Sequence, residues 1–115
     1  MARLKSGMLV AAALRYASQE LIDCVLVRRG DADAGAIFIH INAGLDQHKI
    51  LARVLDFDGN YSWQAITGAD WVDTETASAR LDKEITRDPD AFVLAVDDPE
   101  GRNPFEAIIK SIFLS

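Results

Sequence analysis

Charged side chains that could hold an anion crowd one glycine-bounded stretch of the chain, VLVRRGDADAGAIFIHIN. Arg28 and Arg29 stand there beside Asp31 and Asp33, between two strongly apolar runs. Arginine presents a planar fork of donors that suits carboxylate or phosphate, so these four residues, with Arg102, are candidate ligand-binding residues. The alternative is a solvated hairpin turn, because Asp and Gly tolerate the backbone angles of turns. Adjacent residues on a strand point to opposite faces, which makes a joint grip by both arginines difficult and favours the turn.

Two other kinds of site have weaker support in the sequence. The letters DADAG resemble the start of a calcium loop, but the third acidic ligand is missing and the twelfth position is Asn42. Cys24 and His40 would be cross-strand partners if the first two strands form a hairpin, and a thiol beside an imidazole is the minimum for an activated nucleophile. A buried cysteine and a sheet histidine are the simpler interpretation. The set of Cys24, His40 and His48 lacks the spacing of zinc ligands.

Sequence motifs of the common enzyme classes are missing from the chain. It contains no GxGxxG, GxxxxGK[ST], HExxH or GxSxG pattern. We therefore predict no catalytic residues, no bound metal and no cofactor, and we favour a non-enzymatic protein.

The first half of the chain predicts one helix and two hairpins. Residues 7–20 suit a helix with Ser6 as its N-cap and with Val10, Leu14, Ala17 and Leu21 on its buried stripe. Apolar runs at 24–29 and 35–42 flank the turn 30–34 and predict the first hairpin. Runs at 48–57 and 61–67 flank Asp-Gly-Asn, a strong signal for the second hairpin.

The second half predicts a helix, a strand and a helix. The second predicted helix of the chain extends over Thr74–Arg87 with Asp73 as its N-cap, and the strand covers 91–96. Asn103 followed by Pro104 marks the start of the last helix. Its apolar face follows helical spacing and comprises Phe105, Ile108, Ile109, Ile112 and Phe113. The expected fold is a single α+β domain over residues 1–115, with three helices on an antiparallel sheet of about five strands, two hairpins plus one strand.

Composition narrows the class of partner and the compartment. The chain has 115 residues and a formal net charge of -6, which argues against nucleic-acid binding. The apolar run that starts at Met8 has only seven residues before Arg15, which is too short to span a bilayer and at the lower limit for a signal peptide. A single cysteine excludes an intramolecular disulfide. We expect a cytoplasmic protein without membrane contact.

The chain has more apolar faces than one hydrophobic core is expected to bury, which predicts self-association. Trp63 and Trp71 are expected in the core, with a pocket wall or partner surface as the alternative. The first hairpin is expected to be apolar on both faces, whereas a solvated antiparallel sheet keeps one face polar. Val25, Val27, Ile37, Ile39 and Ile41 would lie on one face, and Leu26 and Phe38 on the other. We therefore predict a homodimer, joined by the C-terminal helix or an uncovered sheet face.

Three stretches together resemble a known family. They are LKSGMLVAAALRYASQ, VLVRRGDADAGAIFIHIN and TRDPDAFVLAVDDPEGRNPF. The chain is similar in these stretches, and in length, to an uncharacterised domain-of-unknown-function family of small alphaproteobacterial proteins. The resemblance implies a cytoplasmic bacterial protein with no assigned activity. Because catalytic motifs are missing and apolar faces are in excess, the expected function is a non-enzymatic binding or protein-interaction module. The alternative is a small enzyme or binding protein for an anionic metabolite held at Arg28 and Arg29.

Overall fold

The computed structural model describes residues 5–108, which form an α+β fold. Three helices and one five-stranded sheet lie within that range. In chain order the elements are α1 (Ser6–Gln19), β1 (Asp23–Arg28), β2 (Ile37–Asn42), β3 (His48–Leu55), β4 (Tyr61–Ala65), α2 (Thr74–Arg87), β5 (Phe92–Asp97) and α3 (residues 104–108). None of the described helices is long and apolar enough to span a bilayer.

The sheet is mixed, and the first predicted hairpin does not form. The strand order is β1-β5-β2-β3-β4, so β5 separates β1 from β2. β5 pairs antiparallel with β1 and parallel with β2, whereas the other pairs are antiparallel. The second predicted hairpin, β3–β4, is present, and β2–β3 is a further hairpin that the sequence analysis missed. The expected arrangement of two hairpins plus one strand in an antiparallel sheet is therefore wrong.

The glycines that bound the supposed turn explain this difference. A Cβ at Gly30 would lie 2.3 Å from the carbonyl oxygen of Asp90, and one at Gly35 would lie 2.6 Å from the same atom. The Asp31 amide donates to that oxygen at 2.8 Å. These glycines thus permit close approach of the segment that leads into β5, which is a second use of glycine besides turn formation. β5 itself is an unbroken apolar run, as expected for a strand buried between two others.

Each face of the sheet carries a separate core. α1 and α3 cover the face here called the α1 face, whose largest buried side chains include Ile39, Phe92, Leu94 and Phe105. α2 packs on β3 and β2 at the other face, here the α2 face, around Phe38. β1 contributes Cys24 and Leu26 to the α1 face.

β1 and β2 do not share an apolar face in the way the sequence suggested. Val25 is opposite Ala95, which is in turn opposite His40, so Val25 lies on the α2 face. The isoleucines of β2 lie on the α1 face. Val25 and Val27 are 53% and 62% exposed because α2 packs on the other half of the sheet. The remaining predicted contact residues, Ile109, Ile112 and Phe113, lie outside the described residues.

Helix α1 differs from prediction at both ends. Ser6 is buried inside the helix rather than capping it, since its hydroxyl donates to the Gly35 carbonyl at 2.7 Å. At the other end the Ile22 amide donates to the Ala17 carbonyl at 2.8 Å, and Leu21 has φ +56°. This is a Schellman ending, with Leu21 in the position that usually holds glycine. Leu21 consequently points outward, 91% exposed, and is not part of the buried stripe.

The starts of α2 and α3 agree with prediction. The Asp73 carboxylate accepts from the Thr76 amide at 2.7 Å, and α2 ends at Arg87 as expected. The Asn103 side-chain oxygen accepts from the Phe105 amide at 3.0 Å. Both caps satisfy amides that a helix leaves without an internal partner.

Candidate functional site

The charged residues of the segment between β1 and β2 are occupied mainly with shaping that segment. Arg28 donates through Nη2 to the Pro89 carbonyl at 2.7 Å. Asp31 accepts from the Ala34 amide at 3.0 Å. Both Asp31 and Asp33 are exposed, as the turn interpretation predicts.

Two further charges of this segment remain at the surface. Asp33 forms an exposed ion pair with Lys5 at 3.3 Å. Arg29 is exposed and forms no ion pair or hydrogen bond among residues 5–108. Arg29 is thus the predicted cation of this segment that stays open to a ligand.

Arg102 lies at the opposite end of β5 and has its own partners. Its Nε and Nη2 donate to the two Asp98 carboxylate oxygens at 2.8 and 3.1 Å, and its backbone amide donates to Asp98 at 2.9 Å. Glu100 lies 3.0 Å from Nε. The side-chain hydrogen bond from Arg102 is the main reason that the pKa of the buried Asp98 carboxyl is lowered. The structure therefore does not join Arg102 to Arg28 and Arg29 in one site.

Arg102 instead lines a cleft of about 400 Å³ on the α1 face, between α1, the sheet and α3. Its lining combines apolar side chains with polar and charged groups. The lining residues are Tyr16, Ile22, Ile41, Lys49, Leu51, Gly101, Arg102, Asn103, Glu106 and Ala107. Five separate segments of the chain contribute to this list, which makes the cleft a product of tertiary folding.

Lys49 is the cation of this cleft that has no acidic partner. It sits on β3 opposite Ile41, and its Nζ lies 4.0 Å from the centre of the Trp71 ring. No ion pair to Lys49 occurs among the described residues. A Cβ at Gly101 would lie 2.9 Å from the Trp71 ring, so the glycine allows the indole to sit against the loop before α3. The cation–π contact holds the ammonium group without neutralising it.

Asn103 supplies the second donor without a partner. Its side-chain oxygen caps α3, but its Nδ2 is buried and has no hydrogen-bond acceptor within the described part of the chain. A buried donor without an acceptor costs roughly 1–3 kcal/mol, so such groups ordinarily have a partner. Lys49 and Asn103 thus both line the cleft, and the acidic Glu106 lies on its α3 side. Sequence reasoning did not single out Lys49, Asn103 or Glu106 as binding residues, since no local motif joins them.

The structure does not pair Cys24 with His40, an arrangement that depended on a β1–β2 hairpin. Cys24 is opposite Val96 on the α1 face, whereas His40 is opposite Ala95 on the α2 face. Burial, followed by the charge of Asp23, raises the pKa of the Cys24 thiol to about 11. The thiol is therefore protonated at neutral pH and is a poor nucleophile.

His40 and His48 belong to a run of side-chain hydrogen bonds on the α2 face. His40 Nε2 lies 2.9 Å from His48 Nδ1, and His48 Nε2 lies 2.8 Å from the Thr74 hydroxyl. Burial and the neighbouring His48 lower the pKa of His40, which favours the neutral ring. No cluster of three or more His, Cys, Asp or Glu side chains suited to a metal ion occurs among residues 5–108. These hydrogen bonds link β2, β3 and the first residue of α2.

The two tryptophans differ in burial. Trp63 is half-buried and stacks at 4.8 Å on Phe105, in agreement with a core role. Trp71 is 38% exposed, which disagrees with the core position expected for it, and it contacts Lys49 of the cleft lining without lining the cleft itself.

Comparison with known proteins identifies the family. The model of a protein family of unknown function, DUF1491, matches residues 4–106. A crystal structure of a DUF1491 family protein from Caulobacter crescentus CB15 is similar with a TM-score of 0.75 and 25% identity, over 90% of this chain and 94% of that one. The solution structure of protein Atu0922 from A. tumefaciens has a TM-score of 0.70 at 21% identity, over 84% and 86% of the two chains. No curated protein matches the sequence. With a family match over nearly its whole length, the chain belongs to the DUF1491 family.

Proposed function

We propose that this protein is a non-enzymatic binding module whose cleft holds a small organic acid with an apolar body. The observation that carries the proposal is that one cleft is lined both by Lys49, whose ammonium has no acidic partner among the described residues, and by Asn103, whose buried Nδ2 has no acceptor there. A carboxylate accepts hydrogen bonds and carries the charge that both donors favour.

The other residues of the cleft restrict the ligand further. Ile22, Ile41 and Leu51 contribute apolar side chains to the lining, which suit a hydrocarbon group. Arg102 adds little positive charge because Asp98 and Glu100 already pair with it. Glu106 would repel a second negative charge. These features favour a monocarboxylate over a phosphate or a dicarboxylate.

Isothermal titration calorimetry with 4-methylpentanoate and phenylacetate, each beside its uncharged amide, tests the proposal. We expect the acids to bind and the amides to bind at least tenfold more weakly. Lys49→Met should weaken binding of the acids by a similar factor, whereas Lys83→Met, which removes an exposed lysine of α2, should leave it unchanged. Failure of both acids to bind, or equal binding by Lys49→Met, would show that the cleft is not an organic-acid site.

The segment between β1 and β2 remains a second candidate site, for an anionic metabolite. It is favoured by the Arg29 guanidinium, which is exposed and lacks a partner among the described residues. Arg29→Ala belongs in the same titrations, with phosphate and a nucleotide added as probes. Binding that Arg29→Ala abolishes and Lys49→Met spares would move the site to this segment.

We also propose that the protein is a cytoplasmic homodimer. The supporting observation is the exposed pair Val25 and Val27 on a strand at the edge of the sheet, since exposed apolar patches mark interaction surfaces. Sedimentation equilibrium over a hundredfold concentration range tests the dimer, and a constant mass near 12.6 kDa would exclude it. The net charge of -6 supports the absence of nucleic-acid binding, which predicts no salt-sensitive retention on DNA or RNA.

A further inference from the structure

We propose that two copies of this chain join edge to edge through β1, antiparallel, with Val25 of one copy opposite Val25 of the other. The inference rests on the proposed self-association and specifies its surface and register. The two sheets then continue as one across a twofold axis, which is the commonest symmetry of soluble homodimers.

β1 is the edge of the sheet that best suits a second strand. Strand order leaves β1 and β4 at the two edges, each with one row of backbone amides and carbonyls not paired within the sheet. On the α2 face β1 presents the exposed Val25, with the exposed Val27 in the irregular step beyond it, whereas β4 presents the exposed polar residues Ser62 and Gln64. An apolar edge with free backbone groups is a template for strand addition. Because α2 packs on β2 and β3, it does not cover this edge.

The faces of the sheet restrict the register. Directly opposite residues in an antiparallel pair point to the same face. A twofold axis perpendicular to the sheet must therefore pass midway between a residue of one copy and the same residue of the other, which are paired with each other. With Val25 on the axis, the valine side chains meet on the α2 face. Cys24 then lies opposite Leu26 of the second copy, on the α1 face.

Charge complementarity selects Val25 rather than Leu26 for the axis. β1 has an irregularity between Leu26 and Arg28, which places Arg28 opposite Val93 on β5. With Val25 on the axis, Asp23 of each copy lies opposite the irregular Val27–Arg28 step of the other. Two ion pairs, related by the axis, then flank the valines, and opposite charges across strands are stabilising. A Leu26 axis would place Val25 opposite that step instead, so Arg28 would have no acid across from it.

The side chains are free to form these pairs. Asp23 is exposed and forms no ion pair among the described residues. Arg28 uses one of its five donors on Pro89, which leaves the others for a carboxylate. Two six-residue strands are a small contact beside the roughly 1,200–2,000 Å² of a standard stable interface, so we expect a dimer that dissociates on dilution.

Charge reversal tests the proposal by sedimentation equilibrium. Asp23→Arg and Arg28→Asp should each weaken the dimer at least tenfold, and the double variant Asp23→Arg/Arg28→Asp should restore it. Asp58→Arg, in the exposed β3–β4 turn, makes the same change in net charge as Asp23→Arg and should leave the dimer intact. Circular dichroism confirms that each variant is folded. Dimers of unchanged affinity in both single variants would overturn the β1 interface.

Cross-linking tests the register without relying on charge. Val25→Cys in a Cys24→Ser background should oxidise rapidly to a covalent dimer, since directly opposite strand residues fall within the Cα distances of a disulfide. Val27→Cys in the same background should not, because its copy lies four residues away along the strands.

The outcomes separate the two levels of the hypothesis. A dimer in which Val25→Cys fails to cross-link would refute this register but keep self-association. A monomer at every concentration would refute both.

Discussion

Replacing Gly30 by alanine probes the contact that separates β1 from β2. A Cβ there would lie 2.3 Å from the Asp90 oxygen and 2.6 Å from both the Ala91 carbonyl carbon and the Phe92 nitrogen. All three are backbone atoms next to the buried strand β5, so no flexible side chain can move aside. Either β5 or the segment before β2 must shift by about an ångström.

The magnitude follows from three contributions. Overpacking costs about 1–3 kcal/mol, and a shift that weakens the Asp31–Asp90 hydrogen bond adds about 0.5–1.5 kcal/mol. Gly30 lacks a positive φ, so alanine also restricts the unfolded chain and returns about 0.4–1 kcal/mol. We expect Gly30→Ala to lower the free energy of unfolding by about 2–3 kcal/mol.

Urea unfolding followed by tryptophan fluorescence measures this change, with Gly7→Ala as the matched control. A Cβ at Gly7 would approach Ala32 no closer than 3.2 Å, and alanine favours the helix by about 1 kcal/mol over glycine. We expect that control to remain within about 1 kcal/mol of the parent protein. If Gly30→Ala were no less stable than Gly7→Ala, close backbone approach would not be the reason for glycine at this position.

Four further outcomes can be measured by the same unfolding assay. Asp31→Ala should cost less than about 1 kcal/mol, because the residue is exposed, and a cost of several kcal/mol would reveal a buried charge network. Leu21→Gly should be neutral or stabilise by up to about 1 kcal/mol, since it relieves a left-handed leucine at a small entropic cost; clear destabilisation would contradict the Schellman ending. Asp98→Ala should cost roughly 1–3 kcal/mol by removing a buried, multiply bonded carboxylate. Stability should fall as the pH drops below 6.5, because the lowered pKa of His40 lets the unfolded chain bind a proton first, and His40→Gln should reduce that slope. An unchanged slope would assign the pH dependence to other groups.

The helices and strands could be predicted from the sequence because caps and turns are encoded by residues a few positions apart. Asp73 and Asn103 cap the helices that they were expected to cap, and Asp-Gly-Asn joins β3 to β4. The pairing of β1 failed because its partner is β5, about seventy positions later in the chain (Leu26 with Leu94). Glycine at 30 and 35 fits both a turn and a close backbone approach, and the sequence alone does not separate these uses.

The candidate cleft could not be predicted for a related reason. Lys49, Asn103 and Trp71 come from different segments and form no spaced motif. Lys49 and Asn103 are candidate ligand-binding residues because, among the described residues, the Lys49 ammonium has no acidic partner and the Asn103 amide has no acceptor. Both properties depend on the tertiary structure. Arg102 was singled out from sequence for its charge, yet Asp98 and Glu100 already occupy that charge.

The central position of β5 has a consequence for the order of folding. During synthesis β1 and β2 are complete well before Phe92 is added, so a β1–β2 hairpin can compete at that stage with the native β2–β3 hairpin. A β1–β2 hairpin would be non-native and would have to open for β5 to insert between the two strands. Pairings over long sequence separation also form slowly, and unpaired strand edges promote aggregation. We therefore predict that insertion of β5, rather than formation of the helices, limits the refolding rate; stopped-flow circular dichroism and tryptophan fluorescence would show helix signal recovering before tertiary packing, and coincident recovery would contradict this.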